Sequence, residues 1–501
     1  MSNFVVHGRY DKAFYRALGI MPGFLSWATI IACFIFSFTH PIPVAIFIIC
    51  FDVYWLIRVV YLASFLIRSF KQIKKNTKID WHAKLHDIKK CDELYHLVII
   101  PTYKEEINIV RPTFEALVNS NYSNEKMIVV LAIEERDKER GMKNAQIIKD
   151  EFGDIFHHFM ITVHPKDLEG EIPGKGSNEA WAGRRVKEYI DEKGIAYEDI
   201  LVSTLDVDTC VHPEYFARLT YVFFNTDDPL HASYQPVPMF FNNFWDAPAL
   251  MRVVAMSNTF WMLMEQARPE RLYTFSSHSM SFKALVDVDF WDTDFVSEDS
   301  HIFWQCFMRY NGNYRTEPLL IPVYMDTVLA DTYSKSIINQ YKQQRRWAWG
   351  SENIPYIFLN FRHNKKIPFS SKLSHGFRVI EGFHSWATNA LMIFILGWLP
   401  LIVGGDAFKT TLLAQNLPLI TQWLMTFSMV GMFISATLNL FLLPERPKKY
   451  GGGRFVMMFL QWFFLPITTI FLGSFPAIDA QTRMMFGKRM GFWTTQKFRK
   501  S

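Results

Sequence analysis

The chain has 501 residues, half of them hydrophobic and 16% aromatic, with a formal net charge of +5. A mean hydropathy of only +0.04 at that aromatic content means that a polar, domain-sized section is averaged with very apolar ones. The five cysteines, Cys33, Cys50, Cys91, Cys210 and Cys306, form no C-x-x-C pair, which argues against a disulfide-stapled module and a zinc ribbon.

Phe24 to Thr39 and Val44 to Leu66 are apolar stretches joined by "HPIP", a connection that permits only a tight hairpin of two membrane helices. No small-residue cleavage site follows the first, so the hairpin reads as an anchor. Arg9, Lys12 and Arg16 on one flank and Arg68, Lys71, Lys74 and Lys75 on the other place both of its ends in the cytoplasm. Asp52 and Arg58 lie inside the second helix, where a charge is costly, and are expected to face protein or a polar path instead of lipid. The segment 1–76 is thus the anchor, and 77–332 a cytosolic α/β domain in which helix and strand patterns alternate without an internal repeat.

Within that domain "LYHLVIIPTYKEE" gives a buried strand, Leu97 to Ile100, stopped by Pro101, with Thr102, Tyr103 and Glu105 at its carboxyl end, where ligands of open α/β sheets collect. A second strand, "MIVVLAIEERD", ends in Glu134 and Glu135. "EIPGKGSNEAWAGR" sets Lys175 between Gly174 and Gly176 at a helix start; such glycines let backbone N–H groups approach phosphate, although a plain turn fits equally and the P-loop spacing is absent. "ILVSTLDVDTCVHPEYF" reads as a strand from Ile200 to Leu205 followed by Asp206 and Asp208. Residues i and i+2 at a strand end project to one side, and two carboxylates there suit Mg²⁺ or Mn²⁺. Two further D-x-D triplets, Asp287 with Asp289 and Asp292 with Asp294, show that the spacing alone is not specific.

"DFVSEDSHIFWQCFMRYNGN" places Ser297 as an N-cap, Glu298 and Asp299 in the first turn and Gly312 as the stop. The acids are either favoured simply by the helix dipole or include a base, since a helix N-terminus suits a proton acceptor. In "INQYKQQRRWAWG" Gln343, Arg346 and Trp347 share a helix face. A guanidinium can hold a phosphate bidentately and an indole can offer a flat surface to a sugar ring; the same residues also suit an interfacial helix at headgroup level. The span 333–385 therefore reads as interfacial helices. Trp386 to Gly404, Ile420 to Leu443 and Phe455 to Ile478 each have membrane-crossing length, which makes 386–501 a second membrane block with a basic tail. Three straight crossings would leave that tail outside, against its charge. Pro466, Gly473 and Pro476 permit the last segment to enter and return, which keeps the C-terminus in the cytosol.

Taken in this order, "PTYKEE", an acid on the next strand, G-K-x-x-N, D-x-D, an S-E-D triplet and Q-x-x-R-W between membrane blocks resemble the membrane-embedded branch of glycosyltransferase family 2, the branch of cellulose, chitin and hyaluronan synthases. The likeness covers roughly residues 20 to 500. It implies a GT-A-type, Rossmann-like cytosolic transferase domain flanked by transmembrane helices. The implied activity is metal-dependent, inverting transfer from a nucleotide-sugar, UDP-sugar foremost, to a growing polysaccharide, with export. Transfer of one sugar to a lipid-linked acceptor and a non-catalytic channel or scaffold are the rival readings.

Carried over by position, the resemblance assigns Thr102, Tyr103, Glu105 and Glu134 to the nucleoside pocket and Lys175 to the diphosphate. It assigns Asp206 and Asp208 to donor and metal, with Asp208 the direct ligand of Mg²⁺ or Mn²⁺. Asp299 becomes the catalytic base, and Gln343, Arg346 and Trp347 the frame of diphosphate and acceptor. The implied partners are a nucleotide-sugar donor, a glycan or lipid-linked acceptor and membrane lipids, with no nucleic acid; the implied setting is a bacterial-type inner or plasma membrane. Departures from the family pattern are Glu134 for aspartate, Ser297 for threonine, and Ser277 and His278 in place of glycines in "FSSHSMSF". "GFWTTQKFRK" is similar to the F-x-V-T-x-K gating motif of cellulose synthases through Phe492, Thr495 and Lys497, with Thr494 replacing valine; a basic solvated tail is the alternative.

Overall fold

The structure, a computed structural model, describes residues 8–88, 90–491, 493–495 and 498–499. Eight strands, β1 (Tyr95–Thr102), β2 (Met127–Glu134), β3 (His158–His164), β4 (Ile200–Thr204), β5 (Cys210–Val211), β6 (Ala232–Met239), β7 (Ser279–Ser281) and β8 (Arg315–Tyr324), form one sheet in the order β3-β2-β1-β4-β7-β6-β8-β5. The first four pair in parallel. β7 runs antiparallel to both β4 and β6, which makes this a mixed α/β sheet.

Alternation along the strands feeds two cores, one on each face of the sheet. Leu97, Ile99, Ile128, Val130, Ile200 and Val202 enter the core under the Lys175–Lys193 and Glu298–Arg309 helices. Val98, Ile100, Val129, Leu131 and Leu201 enter the other, which the Ile107–Val118 and Tyr215–Phe224 helices cover. Because both faces are buried, the strands read as unbroken apolar runs.

Two strand boundaries differ from the sequence expectation. β1 continues through Pro101 to Thr102. Leu205 N donates to Ile99 O at 3.0 Å, so Pro101, two residues on, faces the same side, beyond the end of β4; no ladder partner is there to miss its N–H. β4 in turn stops at Thr204, and Asp206 and Asp208 lie in the turn that follows, closed by Thr209 N donating to Asp206 O at 2.8 Å.

Four helices among the described residues are long and apolar enough to cross a membrane, within Arg9–Thr39, Pro41–Asn76, Leu412–Leu442 and Arg454–Met485, or up to five if Phe369–Phe394 and Leu396–Val403, bent by 46°, form one span. Arg58 of the second is bonded to Glu381 of the Phe369–Phe394 helix and to Tyr54 Oη at 2.8 Å, so its charge is turned to protein. Asp52 is half-buried. The Ala249–Gln266 helix, apolar on most sides and not anticipated from the sequence, packs Phe260 against Trp462 at 5.5 Å between ring centroids.

Both ends of the Arg454–Met485 segment are tied to other parts of the chain. Before it, Lys449 pairs with Asp246 at 3.0 Å. Toward its end Asp479 pairs with Arg345 at 2.8 Å, and Arg16 reaches Met484 O at 2.9 Å. Beyond it, Arg499 pairs with Asp326 at 2.8 Å, and Trp493 lies 5.2 Å from the Lys342 ammonium. Of the gating-like motif Thr495 is buried, whereas Phe492 and Lys497 lie outside the described residues.

Candidate active site

Lys175 is the first residue of the Lys175–Lys193 helix, and its ammonium points into the protein. It lies 2.7 Å from Asp299 Oδ1 and 2.8 Å from Asp206 Oδ1, with Glu298 at 3.6 Å and Glu179 at 3.7 Å. Burial alone would pull such an ammonium down; the four carboxylates, Asp206 first, outweigh it and hold Lys175 well above the ordinary lysine range. The helices that carry Lys175 and Asp299 can approach because residue 176 is glycine: a Cβ there would stand 2.9 Å from Glu298 Cβ. Burial pushes Glu179 up to about 8 and Glu298 well above the usual range.

Asp299 sits in the first turn of Glu298–Arg309, and its carbonyl accepts from Thr274 Oγ1 at 2.6 Å. Ser297 occupies the N-cap position, yet its side chain makes no cap bond. Its hydroxyl donates instead to Glu352 Oε1 at 2.8 Å, and the same oxygen accepts the Val296 and Ser297 N–H groups, each at 2.9 Å. A glutamate from another segment thus holds the residues just ahead of the helix. Glu352 was not singled out from the sequence; the signal available was one acid in the apolar stretch after "RRWAWG".

Asp206 accepts from Ser276 Oγ as well as from Lys175. Asp208 is fully buried and accepts the Asp326 N–H at 2.9 Å. The two carboxylates bond different partners from one turn. The other triplets are held elsewhere: Asp287 by Lys283 and Tyr310, Asp292 by His301 at 2.9 Å. Ser277, one of the two glycine replacements, has φ 62°, the left-handed region that favours glycine; its hydroxyl is 2.8 Å from Thr209 Oγ1 and accepts the Asp206 N–H at 3.3 Å. His278 is fully buried with Nδ1 3.0 Å from Phe275 O, and burial pushes its imidazole down to about 4.

At the end of β1, Glu105 holds its own loop: Oε2 accepts from Thr102 Oγ1 at 2.9 Å and from Tyr103 N at 2.6 Å. Glu134, at the end of β2, bonds Arg136. Gln343, Arg346 and Trp347 lie on the Tyr333–Ala348 helix. Gln343 is buried and accepts from Gln340 at 3.1 Å, Arg346 is near enough to Glu298 to act on its carboxyl, and the Trp347 ring is 6.3 Å from that of Phe240.

Two sets of acids bear on a metal. Carboxylate oxygens of Glu179, Glu298 and Asp299 lie within 4.8 Å of one another around the Lys175 ammonium, which Asp206 also meets; burial pushes Glu179 and Glu298 toward the protonated form, which makes that set a poor metal site. Asp206 and Asp208 offer hard oxygen donors of the kind that fit Mg²⁺ or Mn²⁺.

Among solved structures the chain is similar to the mannosyltransferase PcManGT from Pyrobaculum calidifontis in complex with GDP-Man and Mn²⁺, at 16% identity and TM-score 0.41 over 74% of this chain and 99% of that one. It is also similar to S. aureus TarS 1-349 in complex with UDP-GlcNAc, at 13% identity and TM-score 0.35 over 70% of this chain and 91% of that one. No curated protein matches it in sequence. The family model described as glycosyl transferase family group 2 matches residues 201–475, more than half of the chain and the stretch that carries Asp206, Asp208, Asp299 and Arg346. The chain belongs to that family.

Proposed function

We propose that the protein is an inverting glycosyltransferase that moves a sugar from a nucleoside-diphosphate sugar to a growing glycan at a membrane, through a GT-A-type domain on the cytosolic face. The observation that carries the reading is the meeting of Asp299 and Asp206, two acids of the family segment 93 positions apart in "SED" and "DVD", on the buried ammonium of Lys175. One carboxylate set to take a proton, with no nucleophile paired to a second base, fits a single displacement.

In that displacement Asp299 takes the proton of the acceptor hydroxyl as its oxygen bonds the anomeric carbon, and the bond from that carbon to the diphosphate breaks. Lys175 and Arg346 face the negative charge that develops on the leaving group. Mg²⁺ or Mn²⁺, held by Asp206 and Asp208, would add positive charge there when bound. Gln343 and Trp347 frame the acceptor. Chain extension with export is favoured over transfer of one sugar to a lipid carrier because the Q-x-x-R-W helix packs through Arg345 onto the Arg454–Met485 segment, which ties the acceptor side to the apolar helices.

The test is product formation by the purified full chain across a panel of nucleotide-sugars, with NMR of the new linkage. An anomeric configuration opposite to the donor's is expected, and a long product in place of a single addition. Retention of configuration, or donor hydrolysis without transfer, would overturn the mechanism.

A further inference from the structure

The turn that carries Asp299 is held from a segment that takes no part in the displacement. Trp349–Glu352 follows directly on the Tyr333–Ala348 helix, which presents Gln343, Arg346 and Trp347. Its last residue, Glu352, takes the Val296 N–H, the Ser297 N–H and the Ser297 hydroxyl on one carboxylate oxygen. The other oxygen accepts the Trp349 indole N–H at 2.7 Å, which ties the carboxylate back to its own turn. Asn353, the next residue and a buried one, works on the far side of the base. Its Nδ2 lies 3.2 Å from Ser297 Oγ and 3.3 Å from Ser300 Oγ, and its Oδ1 lies 2.6 Å from His301 Nδ1. His301 is fixed in turn by Asp292 at 2.9 Å. Residues 296 and 297 ahead of Asp299 and residues 300 and 301 after it are thus all bonded to two consecutive positions of one turn.

We propose that Glu352 is a positioning residue for the transfer, which together with Asn353 locks the S-E-D turn to the end of the Q-x-x-R-W helix so that base and acceptor frame keep one register. This rests on the transferase reading. Lys175 by itself is a point charge on a flexible stem, and it is shared with three acids besides Asp299. A carboxylate oxygen that accepts three donors from two consecutive residues fixes their backbone. Proton removal needs the acceptor hydroxyl, framed by one helix, to meet the base carried by another at hydrogen-bond distance, and an error of about 1 Å costs about 10²-fold in rate. None of the Glu352 bonds goes to the Asp299 carboxylate, so the effect falls on turnover and not on nucleotide binding. Reach decides, and charge does not. An amide oxygen can stand where the carboxylate oxygen stands and accept the same three donors, whereas an aspartate keeps the charge on an arm one methylene shorter.

The proposal is tested by steady-state product formation with the nucleotide-sugar that the wild type uses, on full-length protein in detergent, beside calorimetry with UDP and GDP in Mg²⁺. The calorimetric stoichiometry counts binding-competent sites, and kcat is expressed per site, which removes any loss of folded protein. E352A should lower kcat about 10²-fold and E352D about tenfold, while E352Q stays within about threefold of wild type. Nucleotide Kd should stay within about twofold in all three. E352D as active as E352Q or more so, E352A within about twofold of wild type, or Kd weakening in step with kcat overturns the inference and leaves the transferase reading standing. The ranking of E352D against E352Q decides it even where E352A does not fold. A wild type that forms no product from any nucleotide-sugar overturns both.

Discussion

Lys175 and Arg136 are two cations among the acids of one cleft, and burial separates their roles. Lys175 is 9% exposed and holds four carboxylates; Arg136 is 30% exposed and holds one. A partly exposed pair contributes little and can open, whereas a buried cation cannot be withdrawn without stranding its partners. The Lys175 cluster is therefore fixed, and the Arg136 pair is adjustable.

The largest expected break in that comparison is K175M. It leaves Glu179, Asp206, Glu298 and Asp299 facing one another, and should cost about 3–5 kcal/mol of stability by denaturant unfolding, with loss of turnover. R136A should stay within about 0.5 kcal/mol of wild type. Equal stability of the two variants would erase the distinction.

A second effect is a pH dependence centred on the Lys175 cluster. Glu179 is raised from 4.5 to about 8 by burial, so the folded protein binds a proton that the unfolded chain releases. Its contribution to stability is fully present below 4.5 and is lost as pH rises through about 8. E179Q should reduce the fall in unfolding midpoint across that window, the remainder belonging to the other carboxyls that burial raises, Glu298 and Glu352 among them. An unchanged slope would place the proton elsewhere.

The smallest effect concerns Ser277 at the fixed cluster. S277G relieves its positive φ of 62° but removes the hydroxyl between Thr209 and Asp206. Relief and loss are each about 0.5–1 kcal/mol, so the melting temperature should move little. A shift beyond about 2 °C, the lower end of what 1 kcal/mol gives in a domain of this size, would mean that one of the two dominates.

The same division decides what the sequence could reveal. β1, β2 and β4 are legible because both their faces are buried, and Thr102, Glu134 and Asp206 can be placed at or just beyond strand ends by counting from apolar runs; β3, half-buried along most of its length, carries no such signal. β7, three residues of "SMS", carries no such run, and it forms only because β4 and β6 flank it. Glu179 and Glu352 act across 25 and 55 positions, on Thr204 and Ser297, and no local pattern encodes that reach. The position of Lys175 at a helix start is legible; its four acid partners are not, because their meeting depends on Gly176 admitting Glu298. Ser297 is expected to cap its own helix, but its hydroxyl goes to Glu352, which also accepts the Val296 and Ser297 N–H groups just ahead of the helix. Charge at both ends of the last apolar segment suggests its return; Arg454–Met485 has the length and composition of a crossing helix, and Lys449 and Arg499 on either side of it pair with Asp246 and Asp326.

The most direct measurement is of D299N, with turnover and nucleotide-diphosphate affinity determined on one preparation. Loss of the proton acceptor should lower turnover by about 10²–10⁴-fold while affinity changes by less than about twofold, since an amide keeps the size of the carboxylate and its oxygen still accepts from Lys175. Turnover near wild type, or affinity falling in step with turnover, would contradict Asp299 as the base.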